Sequence, residues 1–410
     1  MNEKIYIIIP TAKNRHETLF YSIKNVLNQD YDNLELVVSD NFSSSKTVEV
    51  VKSFSDHRIK YQRSAKFLNM MESCEFALSS ISDPGFIHFM GDDNGLVPDA
   101  LAKVNKFVKN YRVNIIHSDC IQYAWPDLKK KCFLDAYLTS EVYMVNSKKA
   151  LKAAYNMHIS FNRLPTIFQA FVHSSVINQA RLINGGRYFA ACVPDVYSAL
   201  MNAFCVDKYI YSRSPLIING RSVFSNGHLS AQENNTSNFV NDNLNGGYVY
   251  HKLFPPTAEY YLGTYETFAV AADKTKFIDF QRDFNFKKLI NKLINEQFIK
   301  NKMYYIENDI LEFSRRVGVK CKIPKIPLKT FKESRSDDKS YFGYKSKKRF
   351  FINNIPDLIG NIYQVSLITK AILSNKSSNI FFWIDLKNFF KDKLIKILLG
   401  GESLKKYKNN

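Results

Sequence analysis

Five short apolar runs punctuate the first 120 residues, at Ile5–Ile9, Leu34–Ser39, Ile59–Tyr61, Phe86–Met90 and Val113–His117. The longer ones lack the apolar–polar alternation of a strand with one wet face, so they read as strands buried on both sides. Between the runs, Glu17–Asn28, Thr47–Phe54, Asn69–Ser79 and Pro98–Asn110 read as helices. The first of these spaces Leu19, Phe20, Ile23, Val26 and Leu27 along one helical face. Strand and helix in regular alternation imply an α/β fold, with a mainly parallel sheet covered by helices on both faces. Ligands of such a sheet sit beyond the carboxyl ends of its strands.

The chain has 410 residues, enough for two or three domains of roughly 100–200 residues each. Its net charge of +19 is unevenly placed: residues 1–270 hold 27 Lys and Arg against 24 Asp and Glu, whereas residues 271–410 hold 30 against 14. A near-neutral body with a basic last third points to anionic partners, either nucleic acid, anionic lipid or acidic glycans. Cys74, Cys120, Cys132, Cys192, Cys205 and Cys321 form no CxxC pair. Neither a zinc site nor a disulfide framework is expected, and scattered free thiols suit a reducing cytoplasm. The apolar run before Pro10 is too short for a signal peptide, and no stretch approaches the roughly 20 apolar residues of a membrane span.

Further along, Ser147–Tyr155 and Pro194–Ala203 read as helices and Leu216–Asn219 as a strand, while Asn234–Gly247 is rich in Asn, Ser and Gly and reads as a loop. Phe284–Val317 reads as helical with Gly318 as its stop, residues 322–340 as a charged linker, and the remainder as helical. Near the end, Phe382, Trp383, Leu386, Phe389, Phe390, Leu394 and Ile397 share one broad helical arc opposite Asp385, Asn388, Lys391, Asp392 and Lys396, with Lys393 interrupting the arc and Ile384 and Ile395 outside it. Together with the basic cluster at Lys345–Phe351, this suggests a helical region that lies on an anionic membrane surface.

Three segments carry chemistry. FIHFMGDDNGLVPDAL delivers Asp92 and Asp93 at the carboxyl end of a buried strand, where paired acids suit a hard divalent cation that keeps open positions for phosphate oxygens. LELVVSD ends a second buried strand in Asp40. IIIPTAKNR breaks the first strand at Pro10 and places Thr11, Lys13 and Arg15 near the same sheet edge. No GxxxxGK[ST] phosphate loop occurs.

Taken together, IIIPTAKNRHETLFYSIKNVLNQDYDNLELVVSDNFSS and GDDNGLVPDAL resemble the inverting glycosyltransferases of family 2, which have the GT-A fold. The resemblance is dense over residues 4–110, weaker to about 230 and absent beyond about 275. Two positions depart from the common pattern: Ala12 stands where Tyr is frequent, and Asn94 replaces a third acid. The resemblance implies a GT-A catalytic region over residues 1–270, with a nucleotide-sugar half at 1–120 and an acceptor half at 121–270, followed by a basic helical region at 271–410. It implies that Pro10, Thr11 and Arg15 border the nucleotide, that Asp40 contacts its base and Asp92 its ribose or phosphate, and that Asp93 holds Mg²⁺ or Mn²⁺ against the diphosphate. Val193-Pro194-Asp195 is the best match to the late acid that serves as general base, with Pro194 opening a helix. Gly220–His228 resembles the loop that closes over the diphosphate, which casts Arg221 as a phosphate contact and His228 as a further metal ligand. UDP is the expected nucleotide. A growing or lipid-linked glycan of a bacterial surface polysaccharide, such as lipopolysaccharide or capsule, is the expected acceptor, met at the inner face of the plasma membrane. The competing readings are a nucleotidyltransferase-like enzyme and a non-catalytic protein that binds nucleotide-sugar or nucleic acid.

Overall fold

The computed structural model describes residues 2–126, 132–225, 233–257, 259–299, 303–323, 340–346 and 349–374. The first half runs β1 (Ile5–Ala12), α1 (His16–Leu27), β2 (Leu34–Asn41), α2 (Ser45–Lys52), β3 (Ile59–Arg63), α3 (Met70–Ala77), β4 (Phe86–Phe89), β5 (Gly95–Leu96), α4 (Ala100–Tyr111) and β6 (Ile115–Ala124). Next come β7 (Phe133–Tyr137), β8 (Val142–Asn146), α5 (Ser147–Tyr155), β9 (Ala170–His173), α6 (Ser174–Ile183), α7 (Pro194–Cys205), β10 (Lys208–Arg221) and α8 (Glu233–Asn245). The chain continues through α9 (Tyr260–Thr275), α10 (Phe280–Asp283), α11 (Phe286–Ile299), α12 (Met303–Arg316), β11 (Tyr341–Ser346), β12 (Arg349–Asn353) and α13 (Ile362–Ser374).

One mixed sheet of order β11-β12-β7-β6-β9-β4-β1-β2-β3 organises these elements, with β10 alongside β5, β6 and β8. The β3-β2-β1-β4 block is parallel, and β9 joins it antiparallel to both β4 and β6. The continuous apolar runs have a direct explanation. Ile5, Ile7 and Ile9 point into one core with Leu19, Ile23 and Val26 of α1, whereas Tyr6 and Ile8 point into a second core with Val196, Tyr197 and Leu200 of α7. Both faces are dry, so no position in the run can be polar without cost.

The chain after residue 270 packs into both cores. Leu289, Ile290, Leu293, Ile310 and Phe313 share the α7 core, and Ile362, Val365 and Ile368 of α13 share the α1 core.

Three local expectations change. The loop expected at Asn234–Gly247 is mostly helix α8. Its composition is poor for a helix, but Phe239 packs on the α7 core and Asn243 is buried, so tertiary contact outweighs propensity. Gly246 and Gly247 end it, the latter at a left-handed φ of 77°. The helical stretch expected over Phe284–Val317 is two helices, α11 and α12, and Gly318 (φ 70°) terminates the second as expected. In the region after 340, expected to be helical, residues 341–353 form a β-hairpin, because β12 alternates Phe350 and Ile352 inward with Arg349 and Phe351 outward and adds to the sheet beside β7, and helix α13 follows as expected. Residues 324–339 of the linker expected at 322–340, and the amphipathic stretch after 374, lie outside the described residues. Among the described residues, no helix is long and apolar enough to cross a membrane.

Candidate active site

At the carboxyl end of the parallel strands, β4 gives way to the turn Gly91-Asp92-Asp93-Asn94. Asp92 is 2% exposed. Thr11 Oγ1 donates to its Oδ2 at 2.7 Å, and Arg15 Nη1 stands 3.5 Å from its Oδ1. Arg15 also donates from Nη2 to the Phe224 carbonyl at 2.6 Å. The strand-breaking segment after Pro10 thus meets the acidic turn, as its placement at the same sheet edge implied. Burial pushes the Asp92 carboxyl up to about 6 from an ordinary 3.8; the Arg15 guanidinium opposes this and the Asp93 charge adds to it.

A carboxyl with a raised folded pKa binds its proton more tightly in the native state, so it removes stability as pH rises from about 4 to about 6. Asp92→Asn should therefore be more stable than wild type at pH 8, by up to roughly 3 kcal/mol for a shift of about two units. The gain should vanish near pH 4. Urea melts of both proteins at the two pH values check this.

Asp93 is 7% exposed and faces the other way. Its Oδ2 accepts from Ser222 N at 3.2 Å, from Ser222 Oγ at 2.8 Å and from the Ser225 hydroxyl. Its carbonyl accepts from Trp125 Nε1 at 2.9 Å, and a Cβ on Gly220 would fall 1.9 Å from that same carbonyl, so Gly220 must be bare. Gly220 N in turn donates to Asn94 Oδ1 at 2.8 Å. The end of β10 and the segment after it are latched onto the acidic turn.

The other oxygen, Asp93 Oδ1, lies 3.0 Å from where a Cβ on Gly91 would sit. Glycine there leaves that oxygen room on the side where Gly91 lines a cleft. Among the described residues, no group of three or more His, Cys, Asp or Glu side chains converges as a ready-made metal cage. A single carboxylate oxygen with space beside it still fits Mg²⁺ or Mn²⁺, since such ions are commonly held by one or two carboxylates and completed by substrate phosphates and water.

The cleft is about 400 Å³. One wall is Pro10, Thr11, Lys13 and Arg15 from β1 and the start of α1, beside Asn41 and Phe67; the other is Asp195, Asn243, Glu259 and Tyr260 from α7, α8 and α9. Asp195 is half-buried in the first turn of α7, directly after Pro194, and its Oδ1 accepts from Val196 N at 2.9 Å. Burial raises its pKa against the pull of the backbone N–H groups around it.

The structure brings Pro10, Thr11, Arg15 and Asp195 to one cleft, with Asp92 held by two of them. Asp40 is fully enclosed at the end of β2. It accepts from Tyr61 Oη at 2.6 Å and Ser43 N at 2.8 Å, with Arg63 at 3.7 Å, and it is Asn41 that reaches the cleft. Arg221 is exposed at the end of β10 and is not among the cleft residues. His228 lies outside the described residues. Asn69, Asn243, Glu259 and Tyr260 were not foreseen. Of these, only Asn69 has a local signature, as an N-cap whose Oδ1 accepts from Glu72 N.

The mixed sheet, with its parallel β3-β2-β1-β4 block and an acidic turn at the carboxyl edge, is the α/β architecture expected from the sequence. Residues 6–152 match the model of Glycosyl transferase family 2. A relative, GalNAc(5)-diNAcBac-PP-undecaprenol beta-1,3-glucosyltransferase of Campylobacter jejuni, is 27% identical over 165 residues, covering 36% of this chain and 53% of the relative. The chain thus matches about half of that relative's length. Among solved structures, S. aureus TarS 1-349 in complex with UDP-GlcNAc aligns with a TM-score of 0.42 and 12% identity, covering 78% of this chain and 93% of that one. The same protein in complex with UDP aligns with a TM-score of 0.42 and 12% identity over 79% and 94%.

Proposed function

We propose that the chain transfers a sugar, with inversion, from a nucleoside diphosphate sugar of the UDP class to a hydroxyl of a growing or lipid-linked glycan in bacterial surface polysaccharide synthesis. The observation that carries this reading is the cleft itself, which sets the Pro10–Arg15 wall, backed by Asp92, across from a half-buried acid at a helix N-terminus. The family match and the lipid-diphosphate acceptor in the relative's name support it.

Lys13 and Arg15 supply positive charge for the diphosphate. Thr11 and Arg15 hold Asp92, and Asp93 Oδ1 would hold Mg²⁺ or Mn²⁺ beside Gly91. When bound, that ion neutralises charge on the departing diphosphate. Asp195 takes the proton of the acceptor hydroxyl. The freed oxygen bonds to the anomeric carbon from the face opposite the diphosphate, and the bond from that carbon to the phosphate oxygen breaks, which inverts the centre. The basic last third is read as the part that meets an anionic membrane surface.

Thermal stability measured across a panel of nucleotide sugars with Mn²⁺ tests the reading. A UDP-sugar at 100 times its dissociation constant should add about 2.7 kcal/mol, and GDP- and dTDP-sugars should add less. A flat panel overturns it.

A further inference from the structure

Along the carboxyl edge of the sheet the strands follow one another as β4, β1 and β2. Gly91 and the acidic turn follow β4, Lys13 and Arg15 follow β1, and Asn41 ends β2, paired with Ala12 of β1. Neighbouring strands stand about 4.8 Å apart, so the cleft offers an acid, two cations and a third element within roughly 10 Å of edge. That third element is an aromatic ring. Phe67 lines the cleft beside Asn41 and is 43% exposed, a costly place for a phenyl group that covers nothing. Tyr260, also exposed, belongs to the opposite α7–α9 wall. The backbone that carries Phe67 is fixed on its far side. Asn41 clamps Leu68, donating from Nδ2 to its carbonyl and accepting at Oδ1 from its N–H, both at 2.8 Å. Asn69 then caps α3, accepting from Glu72 N at 2.9 Å. Lys13 Nζ stands 5.7 Å from the Phe67 ring centroid. Asp40, the strand-end acid expected to meet a base, is enclosed, with its oxygens taken by Tyr61 and Ser43.

We infer that Phe67 is the platform on which the nucleobase of the donor stacks, and that Asn41 is the residue that positions it. This deepens the proposed function and rests on the cleft being the donor site. A nucleoside diphosphate presents its diphosphate and its base in the order in which the sheet edge presents Lys13 and Arg15 and then Phe67. A phosphate paired with Lys13 brings the base next to the ring. Stacking needs a flat π face in a fixed orientation, and a nucleobase offers the matching face. The clamp supplies the orientation: with Leu68 tied to the end of β2, the segment that bears the ring is ordered before the nucleotide arrives, and binding is spared that entropy. Asp40 takes no direct part in holding the base; it builds the strand end from which Asn41 reaches Leu68.

The test is calorimetric titration of UDP into the full chain in excess Mg²⁺, with proton NMR of the uracil H5 and H6 resonances in the same samples. Phe67→Ala should weaken UDP by roughly fivefold or more, the lower end of what a stacked base loses when its aromatic partner is cut to alanine. Phe67→Trp keeps a π face and should stay within about threefold of wild type. On the wild-type chain and on Phe67→Trp, H5 and H6 should move upfield when UDP binds, as protons over an aromatic face do, and on Phe67→Ala that movement should be lost. Asn41→Ala should weaken UDP by about threefold or more on its own and add almost nothing to Phe67→Ala, because both act through one ring. Equal binding of UDP to the wild-type chain and Phe67→Ala, or binding to the wild-type chain with H5 and H6 unmoved, overturns this inference and leaves the proposed function standing. Losses from Asn41→Ala and Phe67→Ala that simply add overturn the positioning role of Asn41. Failure of UDP to bind the wild-type chain overturns both the inference and the proposed function.

Discussion

Asp195→Asn is expected to lower sugar transfer by about 10²–10⁴-fold, the usual contribution of a positioned general base. Donor affinity should not change, because Asp195 stands on the wall across from the Pro10–Arg15 segment. The substitution keeps the shape of the side chain and an oxygen to accept from Val196 N, so the start of α7 stays capped. The pH profile gives a second readout. Burial raises the Asp195 pKa, and the base must be ionised to act, so the wild-type rate should fall with decreasing pH at values above the ordinary carboxylate 3.8. In Asp195→Asn that acid limb should disappear from the residual rate. A variant that loses donor binding as well would make Asp195 a helix-capping group and not a base.

A loss of similar size is expected for Asp93→Asn. Asn retains an oxygen for Ser222 and Ser225, so the latch between the acidic turn and the end of β10 persists and thermal stability should change little. What disappears is the negative charge beside Gly91. If Asp93 holds a divalent ion against the diphosphate, transfer should drop by at least roughly 10³-fold, about 4 kcal/mol of transition-state stabilisation. The dependence of donor binding on added Mn²⁺ should vanish with it. Unchanged turnover, or a variant that still responds to Mn²⁺, would remove Asp93 from the metal's coordination. Asp93→Ala is a poorer test, since it also removes the acceptor that three donors share.

The parts of this molecule that could be read from the chain are those where a residue's neighbours are close in sequence or where its environment is uniform. β1 and β2 are dry on both faces, so Ile5–Ile9 and Leu34–Val38 announce themselves. The acidic turn was legible because it directly follows a buried strand. Helix α8 was not, because its Asn-rich sequence disfavours a helix, and the packing of Phe239 and burial of Asn243 come from segments distant in sequence. The β11–β12 hairpin was missed because its strands are short and aromatic, with basic residues between them. Asp40 shows a third case. A strand-end carboxylate signals hydrogen bonding, but nothing nearby in sequence reveals that Tyr61 and Ser43 take both of its oxygens. The α7–α9 wall draws on residues 195 to 260 and faces residues 10 to 15, a pairing visible only once the sheet is assembled.

The position of α13 bears on how the chain is made. Tyr123 Oη donates to the Ile359 carbonyl at 2.7 Å, Ser366 Oγ donates to the Leu96 carbonyl at 3.3 Å, and a Cβ on Gly95 would meet Ile362 Cγ1 at 2.9 Å. The residues that close the α1 core are thus synthesised some 260 positions after the strands they cover. At about 5–20 residues per second, a nascent chain carries that apolar face uncovered for roughly 13–50 s. During that interval β1, β2 and β4 can pair, but the face meant for α13 is open to any other apolar surface. A ribosome stalled before residue 362 would hold a sheet with one side unfinished, and such chains are natural clients for a holding chaperone.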